Sequence, residues 1–438
     1  MLHSHFRVGA LLGAYMTAGA IAASAGQATF RVISYMNNQY GGPAGITEGL
    51  PGVFFFPSGS NPQGAFSITA QGTKTMLGKV SGYFQGPLVS AANGRFFSAT
   101  ELGANPGIVV SFGSSAGSKR EYPPQDLVPA LTQNLPDGTF LGIASSASTG
   151  LFSVVNVDGN GTVTPIYGFP VGQDPLVGPI YASDGNYYGT YAVSDGSGYV
   201  FRLTPSGTLT TILNFPANTF KDRYPAPLLQ ASDGNIYGVT PNGGLGYGTI
   251  YKLTLSGQYT LLYTFPKGPA GIPDALIEGS DANLYGSTLG DGGGNSLLFS
   301  LTTSGQYTLL YKMANLGRDG NCDCHLVQGS DGIFYGTALS GGTNGGGTIF
   351  SLDVGLPKPS PRVLQFTPTA GPAGKNVLIW GMNLLSASVE FNGVVSKTVS
   401  SSGPNYVWAV VPAGATTGPI TITTPGGSFT TSGNFTVK

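Results

Sequence analysis

The chain has 438 residues, of which 70 are Gly and 31 are Pro; only 9% are charged, 11% are aromatic, and the formal net charge is −1. Such a composition suits many short strands joined by turns and argues against a helical bundle. With no basic field, nucleic acid and anionic membrane are excluded as expected partners.

The first segment sets the compartment. "MLHSHFR", the small apolar run "VGALLGAYMTAGAIAA" and "ASA" at 23–25 read as a secretory signal peptide over residues 1–25, with no membrane span left after cleavage. Losing Arg7 with it takes the formal charge from −1 to −2. The protein is therefore expected to be secreted or held at the cell surface, as a monomer.

Next comes "TFRVISYM" (29–36), which looks like the last strand of a repeat whose other copies lie downstream, such as "YTLLYTFP" (259–266). The repeat is plainest at "SDGNYYGT" (183–190), "SDGNIYGV" (232–239), "SDANLYGS" (280–287) and "SDGIFYGT" (330–337). Asp184, Asp233, Asp281 and Asp331 are spaced 49, 48 and 50 residues apart. Weaker copies centre on Gly52, Gly94 and Gly138, so seven units are expected, at propeller-like spacing. Within 225–266, "APLLQA", "IYGVT", "GTIYKLT" and "YTLLYTFP" are four strand-length runs separated by Asp-Gly, Gly-rich and Ser-Gly turns. That pattern predicts four-stranded antiparallel sheets, here described by strands A to D. The seventh unit stops at Val354 after three runs, and the N-terminal strand is expected to supply its strand D and close the ring. The expected fold class is all-β: a seven-bladed β-propeller over 26–354, closed by an N-terminal strand and followed by a sandwich.

The stretch "DGNIYGVTPNGGLGYGTIYKLTLSGQYTLLYTF" (233–265) resembles the GloVer tandem repeat, strongly over 175–352 and with drift over 40–170. The resemblance implies a secreted propeller and assigns no chemistry. After a Pro-rich linker at 355–360, "FTPTAGPAGKNVLIWGMNL", "VEFNGV" and "VPAGATTGPITITTPGG" resemble the IPT/TIG immunoglobulin-like domain over 361–438. That likeness implies a spacer or an interaction module.

Catalytic signatures are sparse. His3 and His5 leave with the signal, so His325 is the last histidine through which a His-based relay could pass. "GSSAG" (113–117) matches a nucleophile-elbow pattern by letters, yet Ser115 falls in a turn between strands with no helix predicted after it. Both tryptophans, Trp380 and Trp408, lie in the C-terminal segment. Tryptophan fluorescence is thus expected to report that segment alone, and the Trp-bearing propeller signatures are missing. Tyr188, Tyr237, Tyr285 and Tyr335 read as packing between blades, and the repeated Asp residues as turn caps. Calcium at those turns would lack its ligand ladder.

No catalytic residue, metal site or cofactor is expected. The long B–C loops and D–A links should share one face, with Asp222, Arg223, Tyr247, Asp291, Arg318, Asp319 and His325 as candidate binding residues for a glycan or a surface protein. "NCDCH" (321–325) holds the two cysteines. A local Cys322–Cys324 bridge is expected, requiring a turn; free thiols, or a soft metal shared with His325, are the other readings. The expected function is non-catalytic extracellular binding or adhesion through the loop face. A polysaccharide hydrolase or lyase using carboxylates there is the alternative.

Overall fold

A computed structural model describes residues 28–37, 42–59, 63–101, 107–123, 126–146, 148–175, 177–217, 227–266, 272–289, 296–313, 319, 326–401 and 403–438. Residues 1–25, read above as a signal peptide, and Asp222, Arg223, Asp291, Arg318, Cys322, Cys324 and His325 lie outside the described residues. All regular structure among the described residues is strand, and no helix there is long and apolar enough to cross a membrane.

Between Thr29 and Asp353 the strands form seven antiparallel sheets in chain order. The fifth is typical: Leu229–Gln230, Ile236–Thr240, Thr249–Leu253 and Tyr259–Thr264 pair in sequence. Alternating aliphatic and aromatic residues bury one set of side chains against each neighbouring sheet. Tyr237, Ile250 and Phe265 of the fifth sheet thus share a core with Leu284 and Phe299 of the sixth. The same packing recurs at each successive pair, and it returns on itself. Met36, Tyr335 and Ile349 of the seventh sheet pack with Phe54, Phe56 and Ile68 of the first.

The seventh sheet has three strands of its own, Leu326–Gln328, Phe334–Ala338 and Gly345–Asp353, and Thr29–Asn37 is its fourth. The ladder runs antiparallel from Thr29 opposite Asp353 to Asn37 opposite Gly345, and Phe30 stacks on Tyr311 with ring centroids 4.1 Å apart.

A bulge shows that the N-terminal strand obeys the repeat's own rules. In the outer strands of sheets one, three, four, five and six, one apolar residue is left unpaired: Leu77, Ile166, Ile212, Leu262 and Leu310. In the closing strand Ile33 takes this place, and a second shift leaves Met36 unpaired nearer the strand's end. The C–D turn of the next sheet packs on that bulge through a glycine in the left-handed region. Gly207, Gly257 and Gly305 sit at Ile166, Ile212 and Leu262, and Gly72 of the first sheet sits at Ile33. A Cβ on Gly305 would lie 2.6 Å from the Leu262 carbonyl oxygen, and one on Gly72 would lie 3.0 Å from that of Ile33. Both the positive φ and this close approach require glycine.

Beyond Asp353, residues 362–437 form two sheets that bury a common core, including Ile379 and Val407 from one and Phe391, Ile422 and Phe435 from the other.

Candidate functional site

The A–B turns carry two hydrogen-bond devices. Within a repeat, the turn carboxylate is a cap, as expected. Asp233 accepts the Asn235 backbone N–H at 3.0 Å and the Tyr237 hydroxyl at 2.8 Å, and Asp184, Asp281 and Asp331 do the same for Tyr188, Tyr285 and Tyr335. These tyrosines lie buried between sheets, and burial together with the neighbouring carboxylate holds their hydroxyls well above the ordinary tyrosine range. They are structural, which accounts for their recurrence.

Between repeats, the serine before the Asp reaches a strand-A side chain of the next sheet. Ser183 N–H donates to Gln230 at 2.8 Å, Ser232 N–H to Glu278 at 2.9 Å, Ser280 N–H to Gln328 at 2.9 Å, and Ser330 N–H to Glu48 at 2.7 Å. The last of these links the seventh sheet to the first. Glu48 is only 7% exposed. Burial pushes its carboxyl above the ordinary glutamate value, against the donors from Gly52 and Ser330 and with help from the Asp331 charge.

Sheets one, two and three have Leu50, Ala92 and Pro136 at the turn position where the others have serine. The C-terminal sheets dock on this arc. The Tyr406 hydroxyl, in a fully buried side chain, donates to the Leu135 carbonyl at 2.7 Å, and Trp408 Nε1–H donates to the Ala92 carbonyl at 2.9 Å. Ser90 Oγ donates to Asn405 Oδ1 at 3.3 Å, and Trp380 meets Tyr181 edge to face. The connection at 355–360 is held as well, since Ser280 Oγ donates to the Pro357 carbonyl at 2.7 Å. Both tryptophans therefore stand at the junction with the repeats, and their fluorescence reports that junction rather than the C-terminal segment alone.

The docked segment bounds one side of a central, partly open cavity of about 1160 Å³. Its walls come from the inner segments of sheets two to seven, among them Pro87, Leu131, Ile180, Leu228, Leu276 and Leu326. Its floor is Arg362, Leu364, Gln365, Trp380 and Met382 of the C-terminal segment. A bulge after Val363 brings Gln365 opposite Trp380. Several polar wall groups are already committed to the protein: Thr132 Oγ1 donates to the Leu141 and Pro179 carbonyls, Gln230 is paired with Ser183, and Asp184 holds its turn. Among the described residues no three His, Cys, Asp or Glu side chains are grouped to hold a metal.

Of the sequence-derived candidates, two can be placed. Tyr247 is half-buried against the core shared by sheets five and six. The Asp319 carboxylate accepts the Tyr311 hydroxyl at 3.0 Å, which with burial pushes that hydroxyl up to about 12, and the Asp319 carbonyl accepts from Thr348 Oγ1 at 2.6 Å. The two stand at different inter-sheet junctions and form no common site. Ser115 is an exposed turn residue with strand on either side. The cavity and the inter-repeat serine bonds were missed. Gln or Glu two residues before three of the four Ser-Asp turns, at Gln230, Glu278 and Gln328, was a readable sign of the latter.

Solved structures of similar architecture include β-propeller-like enzymes. An oligogalacturonate lyase in complex with manganese superposes with a TM-score of 0.51 at 12% identity, covering 75% of this chain and 96% of the lyase. The periplasmic gluconolactonase of Pseudomonas aeruginosa gives 0.45 at 17%, covering 73% and 97%. A fungal alcohol oxidase in complex with copper gives 0.45 at 13%, covering 92% and 98%. At such identities the likeness concerns fold alone. No curated protein matches the chain. The Gloeobacter/Verrucomicrobia repeat model matches residues 111–293 and again 175–379. These matches cover more than half the sequence and the stretch where the Ser-Asp turns, bulged outer strands and turn glycines recur, and on them the chain belongs to the Gloeobacter/Verrucomicrobia repeat family.

Proposed function

We propose that this is an exported, non-catalytic binding protein: a seven-bladed β-propeller whose central cavity holds a small molecule, with an IPT/TIG immunoglobulin-like domain as its floor. The cavity carries this reading. At about 1160 Å³ it is somewhat larger than the roughly 300–1,000 Å³ of ordinary ligand sites, and it is lined mainly by apolar side chains with few uncommitted polar groups. The C-terminal domain acts as an interaction module turned inward, since its tryptophans and Tyr406 are spent on the propeller.

The test is a screen of the purified mature protein against small-molecule and glycan panels, with binding read by native mass spectrometry and products by chromatography. Binding without turnover is expected. Reducing ends released from a polysaccharide would establish the hydrolase or lyase reading instead.

A further inference from the structure

The cavity floor is chemically uneven. Leu364 and Met382 are 36% and 39% exposed, large apolar surfaces that line the cavity. Beside them, on the same strand as Leu364, are Arg362 and Gln365. Among the described residues neither of these two side chains has a hydrogen-bond or ion-pair partner. The carboxylates in the lining do not supply one: Asp184 is bound to Asn186 and Tyr188, and Asp274 already has a partner of its own. An unpaired guanidinium at the end of an apolar chamber is a poor neighbour for a neutral hydrocarbon and a good one for a planar anion, because its fork of donors matches a carboxylate.

We propose that the cavity binds an amphiphilic carboxylic acid, its carboxylate on Arg362 and Gln365 and its apolar body along Leu364, Met382 and the leucines of the inner strands. This rests on the reading of the cavity as a ligand site and adds the chemical class of the ligand. The polar groups that a sugar ring would need around its circumference are largely committed within the walls, so a free glycan is the poorer fit.

The full chain is titrated by calorimetry and tryptophan fluorescence with decanoate, 1-decanol and decyltrimethylammonium, each below its aggregation limit. Decanoate should bind at least about tenfold more tightly than the alcohol, since a charge-assisted hydrogen bond corresponds to roughly ten- to a hundredfold in affinity; the cation should not bind. Arg362→Met should remove that advantage while leaving decanol within about twofold, and Arg362→Lys should restore part of it. Circular dichroism melts confirm that both variants fold. Equal affinity for acid and alcohol, unchanged in Arg362→Met, overturns the carboxylate assignment and leaves the cavity reading standing. Failure of acid and alcohol alike to bind the folded wild type overturns both.

Discussion

The ring has two unlike arcs. From the fourth sheet through the seventh to the first, each junction is tied by a turn serine reaching a Gln or Glu of the next sheet. In sheets one, two and three the turn serine is replaced, and groups along the junctions from sheet one to sheet four are used by the C-terminal domain: Ser90, Ala92, Leu135 and Tyr181 all face it. One arc holds itself together, and the other has exchanged its own ties for a docking surface, which places Arg362 and Trp380 under the cavity.

The largest effect should come from breaking the ring itself. Deleting residues 26–36 removes the outer strand of the seventh sheet, the Phe30–Tyr311 stack and the bulge that receives Gly72. The exposed edge should aggregate, and thermal scattering should begin more than about 10 °C below that of the full chain. On the docked arc, Tyr406→Phe removes one of the two donors to the Leu135 carbonyl, which keeps the Gly138 N–H, and should cost about 1–1.5 kcal/mol in chemical denaturation, with an earlier change in tryptophan fluorescence. On the self-tied arc, Ser232→Ala removes one bond to Glu278 but keeps the backbone donor, so a loss of only about 1 kcal/mol is expected, with no change in that fluorescence.

Glu48 sharpens the comparison with a sign. Its folded pKa is raised, so the folded state takes up the proton first. The associated stability is fully present below the unfolded glutamate pKa and is lost as pH rises through the higher folded one. Glu48→Gln, which copies Gln230 and Gln328 at the sister junctions, should flatten this dependence and stabilise the protein near neutral pH by up to about 1 kcal/mol. Melting curves of both proteins from acid to neutral pH provide the check: a gap that widens on acidification would contradict the assigned direction.

Much of this was legible in the sequence because it is local. Asp-Gly and Ser-Gly turns between apolar runs announce the strands, and a seventh unit ending after three runs points to "TFRVISYM" as its missing strand, which pairs from Thr29 to Asn37. The contacts that tie the sheets and line the cavity lie between repeats, where local rules are silent. Gln230 and Ser183 are 47 residues apart, and Tyr406 and Leu135 are 271 apart. Nothing in the neighbourhood of Arg362 says that it underlies a cavity. Variable loops suggested a face with Asp222, Arg223, Tyr247, Asp291, Arg318, Asp319 and His325, most of which lies outside the described residues, whereas the cavity is built from short, regular inner strands that no loop-length argument points to.

The central claim, that the C-terminal domain takes the place of serine ties on one arc alone, is tested most directly by hydrogen exchange of the full chain against an Asn405→Ala/Trp408→Ala double variant. Released docking should speed exchange at the turns near Ala92, Leu135 and Tyr181 and leave those at Asp233, Asp281 and Asp331 unchanged. Uniform acceleration around all seven sheets, or none anywhere, would contradict the division into two arcs.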